Sequence, residues 1–154
     1  MILCTECYIQ QEGKTLMLYR NKIKNDISQG KWIGVGGKFE NGESPEQCLI
    51  REVKEEAGVT LTEFKLRGIV TFVMLDGTSE PMYLFIYTAS KFTGEIGECD
   101  EGTLKWIDTS KILDLKLWDG DRFLWDWILN NDKFFSACFK YNGNDLIEHQ
   151  VAFY

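Results

Sequence analysis

Residues 44–58 constrain this chain more than any other segment. Ser44 is placed to cap a helix, Pro45 suits the first helical position, and Gln47 completes a Ser-x-x-Gln capping box. Gly58 is placed to end the helix in a left-handed turn. The segment therefore reads as a helix over 45–57. At about 100° per residue, Leu49, Ile50, Val53 and Ala57 fall in one sector and form a core face. Glu52, Glu55 and Glu56 fall in the adjoining sector, at i, i+3 and i+4. Three carboxylates on one stripe repel one another. A solvated acidic face is the plainer explanation, but this stripe borders the core and follows a glycine-dense turn. A hard cation such as Mg²⁺ accounts for both, because it takes oxygen ligands, keeps several waters and is usually shared with substrate phosphates.

The rest of the composition narrows the function. The chain has 154 residues, enough for one domain (1–154) with a real core. Its formal charge of −7 argues against a protein that grips nucleic-acid polymers, which needs a basic face. The sign is uneven: residues 1–39 are net +3, residues 40–56 net −4 and residues 94–132 net −6. No segment approaches the ~18 apolar residues of a membrane span, and the N-terminus has no basic n-region of a signal peptide. Cys4, Cys7, Cys48, Cys99 and Cys138 are scattered, which suits reduced thiols in the cytoplasm. Cys4 and Cys7 form a Cys-x-x-Cys, but on a strand they face opposite ways. The single histidine, His149, leaves no Ser-His-Asp or His-rich metal site and reads as a surface or edge residue.

Along the chain, residues 2–10 and 14–20 read as two strands joined near Glu12-Gly13. Residues 21–31 read as a polar loop, and 32–39 as a glycine-dense strand and turn. Residues 64–75 and 82–90 read as two long strands, 103–107 as a short one, 109–114 as a helical turn and 121–130 as a second helix. Residues 134–141 and 145–153 read as a hairpin around Asn142-Gly143. Mixed strands and helices place the fold in the α/β or α+β classes with a mixed sheet.

The residues around the helix sharpen the cation reading. Gly36-Gly37-Lys38 lets backbone groups approach a ligand closely. Glu43 precedes the helix, and Arg51 can pair with it bidentately. Gly37, Glu43 and the run from Arg51 to Val59 then fill every specified position of G-x5-E-x7-R-E-U-x-E-E-x-G-U. The chain thus resembles the Nudix family, whose box spans residues 37–59 here. Trp32 to Lys38, Glu101 to Trp106, Trp118 to Asp121 and the tail from Phe134 to Tyr154 are similar to the MutT-type oxidised-nucleotide diphosphatases, so the resemblance covers nearly the whole chain.

The resemblance implies an α/β/α sandwich with a mixed β-sheet. It implies hydrolysis of a nucleoside triphosphate to the monophosphate and pyrophosphate, with 8-oxo-dGTP the leading substrate, as a nucleotide-pool sanitation step. It implies metal ligation by Glu52, Glu55, Glu56, Glu101 and the Gly37 carbonyl, with Mg²⁺ as the ion and Mn²⁺ as a substitute. Glu52, Glu55 and Glu56 all qualify as the general base, with Arg51 and Glu43 in support. It also implies a monomer. Of the basic residues Arg20, Lys22, Lys24, Lys31 and Lys38, Lys38 is expected first at phosphate, with Arg20 a further candidate. Trp118 is expected to stack on a purine and Asp121 to accept its N–H groups, with Asp119 a second candidate; packing of Trp118 on Trp125 or Phe123, and helix capping by either aspartate, are the plainer alternatives. The vertebrate-type oxidised-purine enzymes have Asn where this chain has Ile33 and a carboxylate where it has Gly120, which leaves the preferred base open. A hydrolase of other dNTPs or nucleotide diphosphates, and a non-enzymatic nucleotide-sensing module, are the alternative functions.

Overall fold

The computed structural model describes residues 1–154. Its strands are β1 (Ile2–Gln11), β2 (Lys14–Tyr19), β3 (Trp32–Ile33), β4 (Thr60–Met74), β5 (Met82–Thr93), β6 (Thr103–Asp108), β7 (Phe135–Asn142) and β8 (Asp145–Phe153). Two helices, α1 (Pro45–Ala57) and α2 (Asp119–Asn130), and a 3₁₀ turn over Thr109–Asp114 complete the chain. The strands form one mixed sheet in the order β3-β2-β1-β5-β4-β7-β8, with β6 on β2. The β1–β5 and β4–β7 pairs are parallel and the others antiparallel.

Strand alternation sorts the core into two layers. Cys7 and Ile9 of β1, Leu16 and Leu18 of β2, and Tyr87 and Ala89 of β5 pack under Leu49, Val53 and Ala57 of α1. Their neighbours Tyr8, Met17 and Ile86 face the opposite way, toward Leu124, Trp125 and Ile128 of α2. The result is the α/β/α sandwich with a mixed sheet that the resemblance implies. Cys4 and Cys7 do face opposite ways, and all five thiols are free. His149 lies on the edge strand β8, stacked on Phe123 at 4.3 Å between ring centroids.

Local signals placed the termini of α1 well. Ser44 accepts from the Gln47 N–H, Gln47 returns a bond to the Ser44 N–H, and Gly58 takes φ 79°. The β1–β2 turn has Glu12 and Gly13 at φ 51° and 74°, the left-handed pair a two-residue hairpin needs. Three details differ from the sequence reading. The core face of α1 is rotated, so Cys48 and Glu56 are buried and Ile50 is only half-buried. Strand β4 begins at Thr60, four residues early, because β5 runs on to Thr93 and pairs with it. Helix α2 begins at Asp119, because the Asp121 N–H already bonds the Trp118 carbonyl.

The segment after β3 fixes the site. Val35 bridges Cys7 and Lys38 bridges Cys4, so residues 34–38 run beside the N-terminal half of β1 rather than forming a long strand. A Cβ on Gly36 would strike the Thr5 carbonyl, and one on Gly34 would lie 2.7 Å from the Cys7 carbonyl oxygen. The glycines are there because the two backbones touch. Gly36→Ala should therefore cost about 1–3 kcal/mol through overpacking, seen as a lower urea midpoint with an unchanged slope. Leu49→Ala, which empties the α1 core, should cost about 2–5 kcal/mol.

Candidate active site

A cavity of about 520 Å³ opens on the α2 side of β1 and reaches round to α1. Gly36, Gly37, Lys38, Glu52, Arg20 and Glu101 line one end. Glu6, Ile33, Phe72, Leu84, Trp118 and Asp121 line the other. Such a volume suits a small molecule.

The carboxylates at the first end are graded by depth. Glu56 is buried, Glu52 is half-buried and Glu55 is exposed at the rim. Glu56 accepts from the Gly36 N–H at 2.8 Å, so the backbone seam fixes it. Burial and the adjacent Glu101 carboxyl push Glu56 up to about 9. Glu52 is also raised, by burial, against the pull of Arg51. Two carboxyls in contact need a proton or a cation between them, and oxygen-only donors suit a hard divalent ion. The Gly37 carbonyl accepts from the Thr5 N–H at 2.8 Å and, weakly, from the Cys48 thiol at 3.6 Å. Arg51 bonds Glu52 and Glu55, and Arg20 bonds Glu101, so these carboxylates are each held by a guanidinium.

Arg51 is the hub of this end. Its Nε and Nη2 hold the two oxygens of Glu43 at 2.6 and 2.8 Å, the bidentate pairing expected from the sequence. Its Nη1 reaches Glu52 at 2.7 Å and Glu55 at 3.3 Å, and its Nη2 also donates to the Lys38 carbonyl. The Arg51 hydrogen bond holds the Glu43 carboxyl down at about 2. Lys38 itself is exposed at the cavity mouth.

The other basic residues are spoken for. Arg20 bonds Asp26 at 2.6 Å and Glu101 at 2.5 Å, so it places Glu101 and is not free for a ligand. Asp26 in turn accepts from the Ser28 N–H, and Ser28 Oγ accepts from Trp118 Nε1 at 3.0 Å. Lys22 donates to the Cys99 carbonyl. Lys31 is buried, with Nζ 4.1 Å from the centre of the Trp118 ring and 2.8 Å from Asn144 Oδ1. Lys24, like Lys38, stays at the surface with no side-chain partner.

At the second end, Trp118 packs edge-on against Phe72 and Tyr141, not against Trp125 or Phe123. Asp121 lines the cavity, while Asp119 is exposed outside it. Neither caps α2 with its side chain. Burial and the nearby Glu6 charge push the Asp121 carboxyl well up. Ile33 adds only apolar surface. A Cβ at Gly120 would lie 2.7 Å from the Tyr141 hydroxyl, so no carboxylate fits there. Sequence reasoning missed Glu6, whose signal was a lone acid inside an otherwise uncharged strand run, and missed the bonding of Arg20.

The NUDIX domain family profile matches residues 5–128. The chain belongs to the Nudix family. Its members generally use divalent metal ions. The chain is 35% identical over 150 residues to an oxidized purine nucleoside triphosphate hydrolase of Danio rerio, covering 97% of this chain and 93% of that one. It is 33% identical over 141 residues to the Nudix hydrolase YvcI of Bacillus subtilis, covering 89% and 85%. Among solved structures, a MutT protein from Bacillus halodurans superposes with a TM-score of 0.88 at 27% identity, over 98% of this chain and 97% of that chain.

If Arg51 holds the acidic end together as these bonds indicate, Arg51→Lys should not replace it, because a lysine cannot span Glu43 and Glu52 at once. The variant should fold but lose divalent-ion affinity by roughly 10–100-fold, read by isothermal titration.

Proposed function

We propose that this protein hydrolyses oxidised purine nucleoside triphosphates, 8-oxo-dGTP foremost, to the monophosphate and pyrophosphate with Mg²⁺. The observation that carries this reading is the single cavity with carboxylates at one end and an aromatic, acid-floored slot at the other. Relatives named for oxidised purine triphosphate hydrolysis support the same substrate class. The 154 residues act as one domain and as a cytoplasmic monomer in this reading, with Mn²⁺ able to replace Mg²⁺.

Glu52, Glu56, Glu101 and the Gly37 carbonyl would hold the ion, with Glu55 joining from the rim. When bound, the ion would neutralise phosphate oxygens and acidify a water. The chain's own residues do the rest. Glu52, Glu55 or Glu56 accepts the proton of the attacking water. Arg51 orients Glu52 and, through Glu43, the loop before α1. Lys38 meets the phosphate chain at the mouth, where the transition state is stabilised by position and charge. Arg20 positions Glu101. Trp118 stacks on the base, held by Ser28, and Asp121 accepts from the base's N–H groups. The exposed Asp119 contributes negative field only.

A panel of ordinary and oxidised dNTPs with Mg²⁺ tests the reading. The expected result is pyrophosphate release with the highest kcat/KM for 8-oxo-dGTP. Turnover of no purine triphosphate would overturn it. Glu56→Gln should keep its circular dichroism spectrum and lose more than the roughly 10–100-fold that an outer-shell change costs. A rate within a factor of a few of the wild type would remove Glu56 from the ligand set.

A further inference from the structure

Glu6 is the one charged side chain of β1 on the cavity side, between Cys4 and Tyr8. Its carboxyl is aimed by the fold. Oε1 accepts from the Tyr8 hydroxyl at 3.0 Å and from the Gly34 N–H at 2.9 Å. Tyr8 is itself buried against Trp125, with ring centroids 4.6 Å apart. Oε2 receives nothing from the protein, and neither does the Asp121 carboxyl across the cavity. Around them stand Phe72, Trp118, Ile33 and Leu84, so a flat ring entering the slot meets these two carboxyls at its edge.

The pair has a definite hydrogen-bonding character. The indole N–H of Trp118 is committed to Ser28, so this end offers a ligand almost no donors. Burial pushes both carboxyls up, and the Glu6 charge raises Asp121 further, while the Gly34 and Tyr8 hydrogen bonds and Arg20 pull Glu6 down and Arg122 and Lys31 pull Asp121 down. The free Oε2 of Glu6 and the Asp121 carboxyl present acceptors to a ligand in the slot. A guanine-type edge offers the complement: two adjacent donors, the ring N1–H and the amino group, beside one carbonyl. An adenine edge offers one donor group and a ring acceptor. A site that must pair its buried polar groups rejects the edge that leaves them unpaired.

We propose that Glu6 is a specificity-determining residue which, with Asp121, reads the edge of a guanine-type base through its adjacent N–H donors. The proposal rests on the cavity's aromatic end being the base site. It also explains the lack of room at Gly120: the acid that faces Asp121 stands on the strand, because the helix backbone is closed against Tyr141 and Phe139.

Glu6→Gln tests it. The glutamine carbonyl keeps both bonds, to Tyr8 and Gly34, and the amide turns the free acceptor into a donor. Binding of 8-oxo-dGMP and of dAMP is measured by isothermal titration without divalent ion, so chemistry at the other end plays no part. The wild type should favour 8-oxo-dGMP, and Glu6→Gln should lower that preference by about 10-fold or more with an unchanged melting temperature. If Glu6→Gln melts early, Glu6→Asp, which withdraws the carboxyl by one methylene, should lower the preference in the same direction. An unchanged preference in a folded Glu6 variant overturns the proposal. Asp121→Asn, run in parallel, separates the two levels: a shift there with none at Glu6 leaves the base site standing, and no shift in either variant removes the base site too.

Discussion

The site depends on a backbone seam. Residues 34–37 lie directly against β1, joined by the Thr5 N–H to the Gly37 carbonyl and by two bonds between Cys7 and Val35. No side chain fits between the two segments at Gly36. This contact orients two amides that would otherwise need water. The Gly36 N–H takes Glu56 from helix α1, and the Gly34 N–H takes Glu6 on the other face of the sheet. Alternate amides of one short segment thus anchor a carboxyl on each face of the sheet. A side chain at Gly36 would strike the Thr5 carbonyl and break the seam.

Around that seam the acidic block of residues 40–56 becomes intelligible. Its net charge of −4 is concentrated near one guanidinium. Arg51 meets Glu43, Glu52 and Glu55, and its fork is saturated. Glu56 lies beyond its reach and is left facing Glu101. The folded chain therefore pairs Glu43, Glu52 and Glu55 with Arg51 and Glu101 with Arg20, and leaves the buried Glu56 with no cation of its own. The apolar packing of α1, with Leu49 and Val53 fully buried, holds that arrangement against its own repulsion.

Features set by a few neighbouring residues were legible in the sequence. Ser44, Gln47 and Gly58 specify α1 because a cap involves only the adjacent turn. Glu12-Gly13 specifies a hairpin for the same reason. The three-glutamate stripe was visible, but its grading was not, because the depth of each residue depends on where Gly36 and Glu101 arrive. The true start of β4 escaped because β5 decides it. Arg20 and Lys31 read as members of a basic region facing phosphate, and their actual partners lie far off in sequence at Glu101 and Asn144. Glu6 showed only as a lone acid in an uncharged strand run, and its role escaped because its counterpart is on α2.

The hydrogen bonds from Glu101 through Arg20, Asp26 and Ser28 to Trp118 have a geometric consequence. They tie a carboxylate at one end of the cavity to the indole at the other, by way of a loop with no regular structure of its own. The separation between the two ends is thereby set like the jaws of a caliper. Displacing Asp26 or Ser28 would therefore disturb the indole and the carboxylate together, since one loop carries both attachments.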